Sequence, residues 1–357
     1  MNHDVVPTPP PDSFRRRLTI ATYALLFVVL VIHLLQQFAS ILKPLLISIF
    51  VLYVLYPVYS WLVRRGVRPL LAHILILAAF VGGFTAAGQA VYQSALALTP
   101  ERLDAYRLRL ETLINRTAEA AGYHGEEPAT SRFRKALGSQ DYSGQDIVGA
   151  IRDVAGNFRD VMTFCLIVLI YIVFLMAERV TFAKRLSLAF GEARATHIQI
   201  VVGSINEAIA QYVAVKGWIS FVTGAMSLAV FAAFGIDFAV LWGALIFLLN
   251  FIPYLGGLVA MGPPILLAFL QLSPVEAIVV VALLIGIQVF TGQYLEPKMA
   301  GRKLNLSPLL ILLALAFWGY LWGIVGMILA VPLTVVCKII LDNIPETKPV
   351  GTLMSNV

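Results

Sequence analysis

Apolar runs long enough to cross a lipid bilayer recur along this chain, at residues 18–35, 41–62, 70–98, 161–177, 216–234 and 275–294. A hydrocarbon core about 30 Å thick is crossed by about 20 residues in helical form. Inside it no water is present to bond an open backbone, so such runs must be helices that satisfy their own N–H and C=O groups. Composition agrees: 59% of the 357 residues are hydrophobic and 13% are charged, with a mean hydropathy of +0.85. That balance excludes a soluble globular chain. The sequence predicts an all-α polytopic membrane protein.

Two further apolar stretches, 238–271 and 307–340, run for roughly 35 residues each, too long for one ordinary span. Both are interrupted at mid-length by nearly the same words. The first reads Phe251-Ile252-Pro253-Tyr254-Leu255-Gly256-Gly257-Leu258-Val259-Ala260-Met261. Sixty-six positions later comes Phe317-Trp318-Gly319-Tyr320-Leu321-Trp322-Gly323-Ile324-Val325-Gly326-Met327, with six of eleven positions identical. This is an internal repeat. Interrupted apolar segments at matching places in two halves mark a transporter binding site. For a single glycine pair such as Gly319-xxx-Gly323, close helix packing is the simpler explanation. The expected fold has six full spans plus two inverted-topology helical hairpins broken at the midplane.

Charge sets the orientation. Arg15–Arg17, Arg64–Arg68, Arg179–Arg194 and Lys298–Lys303 all fall on one side if each full span crosses once and each broken pair returns to its starting side. Basic loops face the cytoplasm. Both termini are then cytoplasmic. The expected layout is a disordered tail (1–17), three spans (18–98), an outward-facing, partly helical segment (99–160), and a span (161–177). A cytoplasmic amphipathic segment (178–215), a transport core (216–341) and a cytoplasmic tail (342–357) follow. The outward segment balances nine Lys or Arg against ten Asp or Glu. The net charge of +6 reflects the flanks of the spans, not a basic soluble face for nucleic acid. Cys165 and Cys337 lie in apolar runs and read as small buried residues.

For chemistry the sequence offers polar groups set in apolar surroundings. An ionised side chain at the bilayer centre costs about 2.5–3.5 kcal/mol even on the mild insertion scale, and the deepest polar residues here are uncharged. Asn250 immediately precedes the first break, and Gln288 and Gln293 lie along the sixth span. Amides donate and accept hydrogen bonds to a hydroxylated solute without changing protonation. Asn250 could equally cap the open backbone of the break. Tyr254 and Tyr320 are equivalent across the repeat and could stack on a solute or simply pack; Trp318 and Trp322 are candidates for interface anchors. The candidate binding set is Asn250, Pro253, Tyr254, Gly256, Gly257, Gln288, Gln293, Tyr320 and Gly323, in which proline and glycine shape the breaks. Glu207, Asp237 and Glu296 stand at span ends and are the candidates for gating or proton and cation coupling. For Glu296, a local salt bridge with Lys298, Arg302 or Lys303 is the structural alternative. No phosphate-binding glycine loop or His-Glu-x-x-His pair is found, and no cofactor or enzymatic activity is expected.

Three stretches resemble the autoinducer-2 exporter family of bacterial inner-membrane proteins: Asn250-Phe251-Ile252-Pro253-Tyr254-Leu255-Gly256-Gly257; Leu295-Glu296-Pro297-Lys298-Met299-Ala300-Gly301 with Leu306-Ser307-Pro308; and Phe317-Trp318-Gly319 through Gly323, Gly326, Ala330 and Pro332. The resemblance is specific over about residues 200–341. It implies export of small solutes, with a quorum-sensing signal as founding substrate, and a homo-oligomer such as a pentamer; cation/proton exchange has also been attributed to the family. The expected function is secondary export of a small polar, autoinducer-2-like metabolite by alternating access. Sodium, potassium or proton exchange is the alternative, with a membrane scaffold or receptor behind it.

Overall fold

The computed structural model describes residues 12–96, 99–120, 158–300 and 306–355. Its helices, in chain order, are α1 (Asp12–Gln37), α2 (Ala39–Arg64), α3 (Pro69–Leu96), α4 (Pro100–Ala120), α5 (Phe158–Phe190) and α6 (Glu192–Ala233). The first broken pair is α7 (Ala239–Leu249) and α8 (Leu255–Gln271). Next, α9 (Pro274–Val289) passes through a π turn at Phe290–Leu295 into α10 (Glu296–Ala300). The second pair is α11 (Pro308–Trp322) and α12 (Ile324–Asp342), and α13 (Lys348–Leu353) closes the described chain. Among the described residues there is no strand.

Five stretches are long and apolar enough to cross a membrane: Leu18–Gln37, Ala39–Arg64, Glu192–Ala233, Pro274–Met299 and Ile324–Asp342. The distribution differs from the sequence reading in several places. Helix α3, with 28 residues, and α5, with 33, run through the third and fourth predicted spans. Helix α12, read as half of a hairpin, has 19 residues and is long enough to span. The helix of the first span reaches back to Asp12, so the arginine triplet belongs to it and not to a disordered tail; residues 1–11 lie outside the described residues. Of the outward segment, residues 121–157 also lie outside them. The amphipathic segment and the fifth span are one unbroken helix of 42 residues, α6, because no proline or glycine pair interrupts residues 192–233. Cys165 is half-buried and Cys337 is exposed, so neither is the buried core residue that its apolar run suggested.

Apolar burial joins the two broken pairs. Ile252, in the first break, shares a buried cluster with Ala314, Leu315, Trp318, Trp322 and Ala330 of the second pair. Phe251 joins Phe50 of α2, Ile209 and Val213 of α6 and Leu329 of α12. Its ring meets Phe50 edge-on at 5.3 Å and Phe247 at 5.6 Å; such aromatic pairs add about 0.5–1.5 kcal/mol beyond area burial. Trp318 and Trp322 are buried here, not placed as exposed anchors. Trp322 Nε1 donates to Leu35 O at 3.0 Å, serving one of the carbonyls that the end of α1 leaves without an intrahelical partner.

Each pair is also tied at its ends. Asp237, just before α7, and Gln271, the last residue of α8, bond each other twice: Asp237 N donates to Gln271 Oε1 at 3.0 Å, and Gln271 Nε2 donates to Asp237 Oδ2 at 2.7 Å. Helix α4 covers this junction. Its Tyr106 hydroxyl donates to the Asp237 carboxylate, and Arg109 Nη1 donates to Leu270 O at 2.7 Å and to Gln271 O at 3.3 Å, a cation on the negative end of α8. In the second pair, Ser307 N, at the start of α11, donates to Met354 O at 3.1 Å. Gly351 lies against Asp342 at the end of α12. The two ends of the first pair are thus bonded directly, and those of the second are linked through α13.

A glycine makes each return possible. A Cβ added at Gly256, in the first turn of α8, would lie 1.7 Å from Leu249 O. One added at Gly326, in the first turn of α12, would lie 1.9 Å from Trp318 O. Either substitution must separate the two helices of its pair. Gly256→Ala and Gly326→Ala should each lower stability by about 1–3 kcal/mol or more. Gly82→Ala, with nothing within 4 Å of the added atom, should be neutral or stabilising, because alanine is the better helix former. Thermal unfolding of the purified protein in detergent checks all three.

Candidate functional site

The site is built on α6. Tyr212, Lys216 and Ser220 recur every fourth residue, which places them one above another on one face of the helix. That face is turned inward: Lys216 is 5% exposed, Ser220 is fully buried, and the Tyr212 hydroxyl oxygen is buried. In a helix this apolar, a buried ammonium requires a counter-charge close by. Lys216 Nζ donates to both carboxylate oxygens of Glu296, at 2.8 and 2.9 Å. The Glu296 side chain is one-third exposed, so the pair sits at the edge of the buried region.

Pro297 explains why Glu296 can reach α6. It has no N–H to give the Gln293 carbonyl, and its ring crowds that carbonyl. The helix ahead of it widens into the π turn Phe290–Leu295, a feature often found at functional sites.

One turn along α6, Ser220 Oγ accepts a bond from Asn250 Nδ2 at 3.1 Å. Asn250 ends α7 and is 6% exposed. Its side chain therefore reaches across to α6, and the break is closed by short backbone bonds instead: Phe251 N to Leu248 O at 3.3 Å, Ile252 N to Leu249 O at 2.8 Å and Leu255 N to Pro253 O at 2.7 Å. Tyr254 takes up the turn with a φ of 62°, a conformation uncommon for a non-glycine residue. Beyond it, the buried Gly257 faces Gln288 of α9, where an added Cβ would lie 2.0 Å from Nε2. Gln288 Oε1 is buried and has no hydrogen-bond partner among the described residues, as is true of the Tyr212 hydroxyl. An orphaned buried polar atom costs about 1–3 kcal/mol, and two flank the Lys216–Glu296 pair and the first break.

The predicted residues divide into two groups. Asn250, Gly256 and Gly257 are buried at the first break, with Pro253 half-buried beside them and the half-buried Gln288 against Gly257. Tyr254, Gln293, Tyr320 and Gly323 face outward, the two tyrosines at 63% and 80% exposure. Gly323 has a φ of 66° with open space around it, so the second break turns on glycine where the first turns on tyrosine.

The carboxylates also separate. Glu207 is on the exposed side of α6. Asp237 belongs to the junction under α4, where Tyr106, Gln271 and, at 3.6 Å, Arg102 converge on it. Burial, and then the bond to the Asp237 carboxylate, push the Tyr106 hydroxyl above its ordinary pKa. Glu296 pairs with Lys216, 80 positions away, and not with the cations that follow it; Arg302 and Lys303 lie outside the described residues. Sequence reasoning missed Lys216, taking it as the start of a span. The recurrence Tyr212-xxx-Lys216-xxx-Ser220 inside an apolar helix was the available signal.

The family model described as AI-2E family transporter matches residues 20–346. A Borreliella burgdorferi protein named "Putative transport protein" is 29% identical over 334 residues, covering 91% of this chain and 88% of that protein. "Putative transport protein YhhT" of Escherichia coli (strain K12) is 27% identical over 344 residues, 94% of this chain and 93% of its own. "AI-2 transport protein TqsA" of the same organism is 27% identical over 321 residues, 89% of this chain and 90% of its own.

The junction under α4 makes a test of its own. Asp237→Ala removes the shared acceptor of Tyr106, Gln271 and Arg102, and a hydrogen bond to a charged group is worth about 1.5–3 kcal/mol. Hydrogen exchange should accelerate at the Asp237 and Gln271 ends of α7 and α8 while the centre of α6 keeps its protection. Uniform acceleration along all three helices would mean that the junction holds up the whole fold.

Proposed function

The chain belongs to the AI-2E family of transporters, and from that premise we propose that it is a secondary exporter of a small polar, autoinducer-2-like metabolite. The observation that carries this reading is the polar seam of Tyr212, Lys216, Ser220, Asn250, Gln288 and Glu296, gathered at a helix break inside an apolar helical body. Amide, hydroxyl and ion-paired groups there can exchange hydrogen bonds with a hydroxylated solute, and the two orphaned oxygens offer it acceptors. The autoinducer-2 assignment is supported by the name of one relative, the AI-2 transport protein TqsA.

The transport cycle in this reading is alternating access around two inverted hairpins, α7–α8 and α11–α12. The ends of the first meet at Asp237 and Gln271; the start of the second, Ser307, bonds Met354 beyond α13, and α13 lies against the end of α12 at Asp342. The helix joining the two junctions, Pro274–Met299, has 26 residues, about 39 Å at 1.5 Å per residue, enough to cross a core of about 30 Å. That length supports junctions on opposite membrane faces. The 11 residues of α7 rise about 16 Å, which supports a depth near the middle for Asn250. The Lys216–Glu296 pair then lies toward the second junction, on the cytoplasmic side with both termini and the basic loops. Tyr254, Gln293, Tyr320 and Gly323, exposed in the single chain, are left for lipid, for the pathway in another state, or for neighbouring subunits of a homo-oligomer.

Cation/proton exchange, the second reading, requires a carboxylate that titrates on the pathway. Glu296 is the carboxylate at the seam, which gives that reading its one specific observation.

Flux from proteoliposomes tests the proposal. Vesicles loaded with labelled autoinducer-2 should release it through the purified protein, and Asn250→Ala should slow release by roughly tenfold, the value of about one hydrogen bond. Vesicles with protein that retain the label as tightly as empty ones would sink the exporter reading. In a background lacking Cys165 and Cys337, Gln288→Cys should react with impermeant thiol reagents from one membrane face at a time. Protection from both faces in every condition would remove the first break from the pathway.

A further inference from the structure

The ion pair on the seam has a consequence for energy coupling, which rests on the transporter reading above. A carboxylate at the edge of an apolar body must hold a proton or find a cation, because a bare charge there is too costly. Hard alkali cations take oxygen ligands, and in an ion-coupled carrier such a carboxylate is where a cation would bind. In this chain both oxygens of Glu296 already receive bonds from one ammonium, at 2.8 and 2.9 Å, and that ammonium is anchored on a different helix and buried. We propose that Glu296 is a cation site permanently filled by the chain's own Lys216, so that this carboxylate binds neither sodium nor potassium during export.

Two features make the pair a site and not a surface salt bridge. Lys216 is 5% exposed against one-third for the Glu296 side chain, so the cation of the pair is held out of bulk water while the carboxylate keeps one edge toward it. The Tyr212 hydroxyl, one turn away on α6, is buried without a partner among the described residues. Among the described residues, the cation bonded to Glu296 is Lys216 of α6. The segment of Glu296 itself adds Lys298, whose ammonium lies over the Tyr294 ring at 5.4 Å.

The pair also dictates how the parts move. Separating the pair leaves the Lys216 ammonium buried and uncompensated, so α10 and the centre of α6 travel together while the tips of the helix pairs rearrange. Removing Lys216 alone frees the site for a proton or an alkali cation.

Thermal unfolding of the purified protein, with choline exchanged for sodium or potassium at constant ionic strength, tests this independently of flux. The wild-type midpoint should stay the same in all three salts. Lys216→Gln should unfold at a lower temperature in choline and recover by roughly 2–4 °C or more in sodium or potassium, the recovery growing with the logarithm of cation concentration. The double variant K216Q/E296Q should show no such recovery. A Lys216→Gln midpoint indifferent to cation, or a wild-type midpoint that shifts with sodium or potassium, overturns the proposal. Should the single variant not survive purification in choline, equal yields of folded protein extracted in potassium and in choline would overturn it too. Wild-type vesicles that move no solute would sink the exporter reading and leave the unfolding result standing.

Discussion

A backbone group inside hydrocarbon has only the protein itself to bond to, and each one left open costs several kcal/mol. Everything unusual in this fold follows from helices that stop where lipid would not let them stop. At the first break, Asn250 to Tyr254, the carbonyls of Leu248 and Leu249 are taken up at once by Phe251 and Ile252, and both of those side chains are buried. The break survives because it is wrapped in protein: α2 and α6 on one side, the second pair on the other. The end of α1 obeys the same rule through the indole of Trp322.

The same burial that protects a broken backbone also concentrates polar side chains. Ser220 and Asn250 partner each other, and Lys216 and Glu296 do the same across the π turn. A buried pair of this kind is weak evidence for stability, since well-packed apolar residues would do as well or better. It is better evidence that position matters. Lys216 and Glu296 fix one place on α6 to one place on α10, and the amide of Asn250 fixes the end of α7 a single turn away. The geometry thus links the first break, the π turn and the centre of α6.

The two halves of the repeat solve one packing problem with different residues. Gly256 admits the carbonyl of Leu249 and Gly326 that of Trp318, yet these glycines are not equivalent in the sequence register. The left-handed turn falls on Tyr254 in one pair and on Gly323 in the other. The second pair also has the longer limbs, 15 and 19 residues against 11 and 17. The repeat preserves the close return of helix on helix and lets its details drift.

The sequence by itself determined that this is a helical membrane protein, where its apolar helices lie, and that two of them are broken in related ways. Those facts are local: they depend on runs of apolar residues, on Gly and Pro, and on a backbone that must bond within its own segment. It also singled out Asn250, Gly256, Gly257, Gln288 and Glu296, each a polar or small residue set against apolar neighbours. The tertiary structure decided which of the marked residues meet. Lys216 and Glu296 are 80 positions apart, Trp322 and Leu35 are 287 apart, and no periodicity within one helix encodes a partner on another. Exposure was decided the same way, since Tyr254 and Tyr320 have the sequence surroundings of buried residues, and only the packing of neighbouring helices leaves them outside.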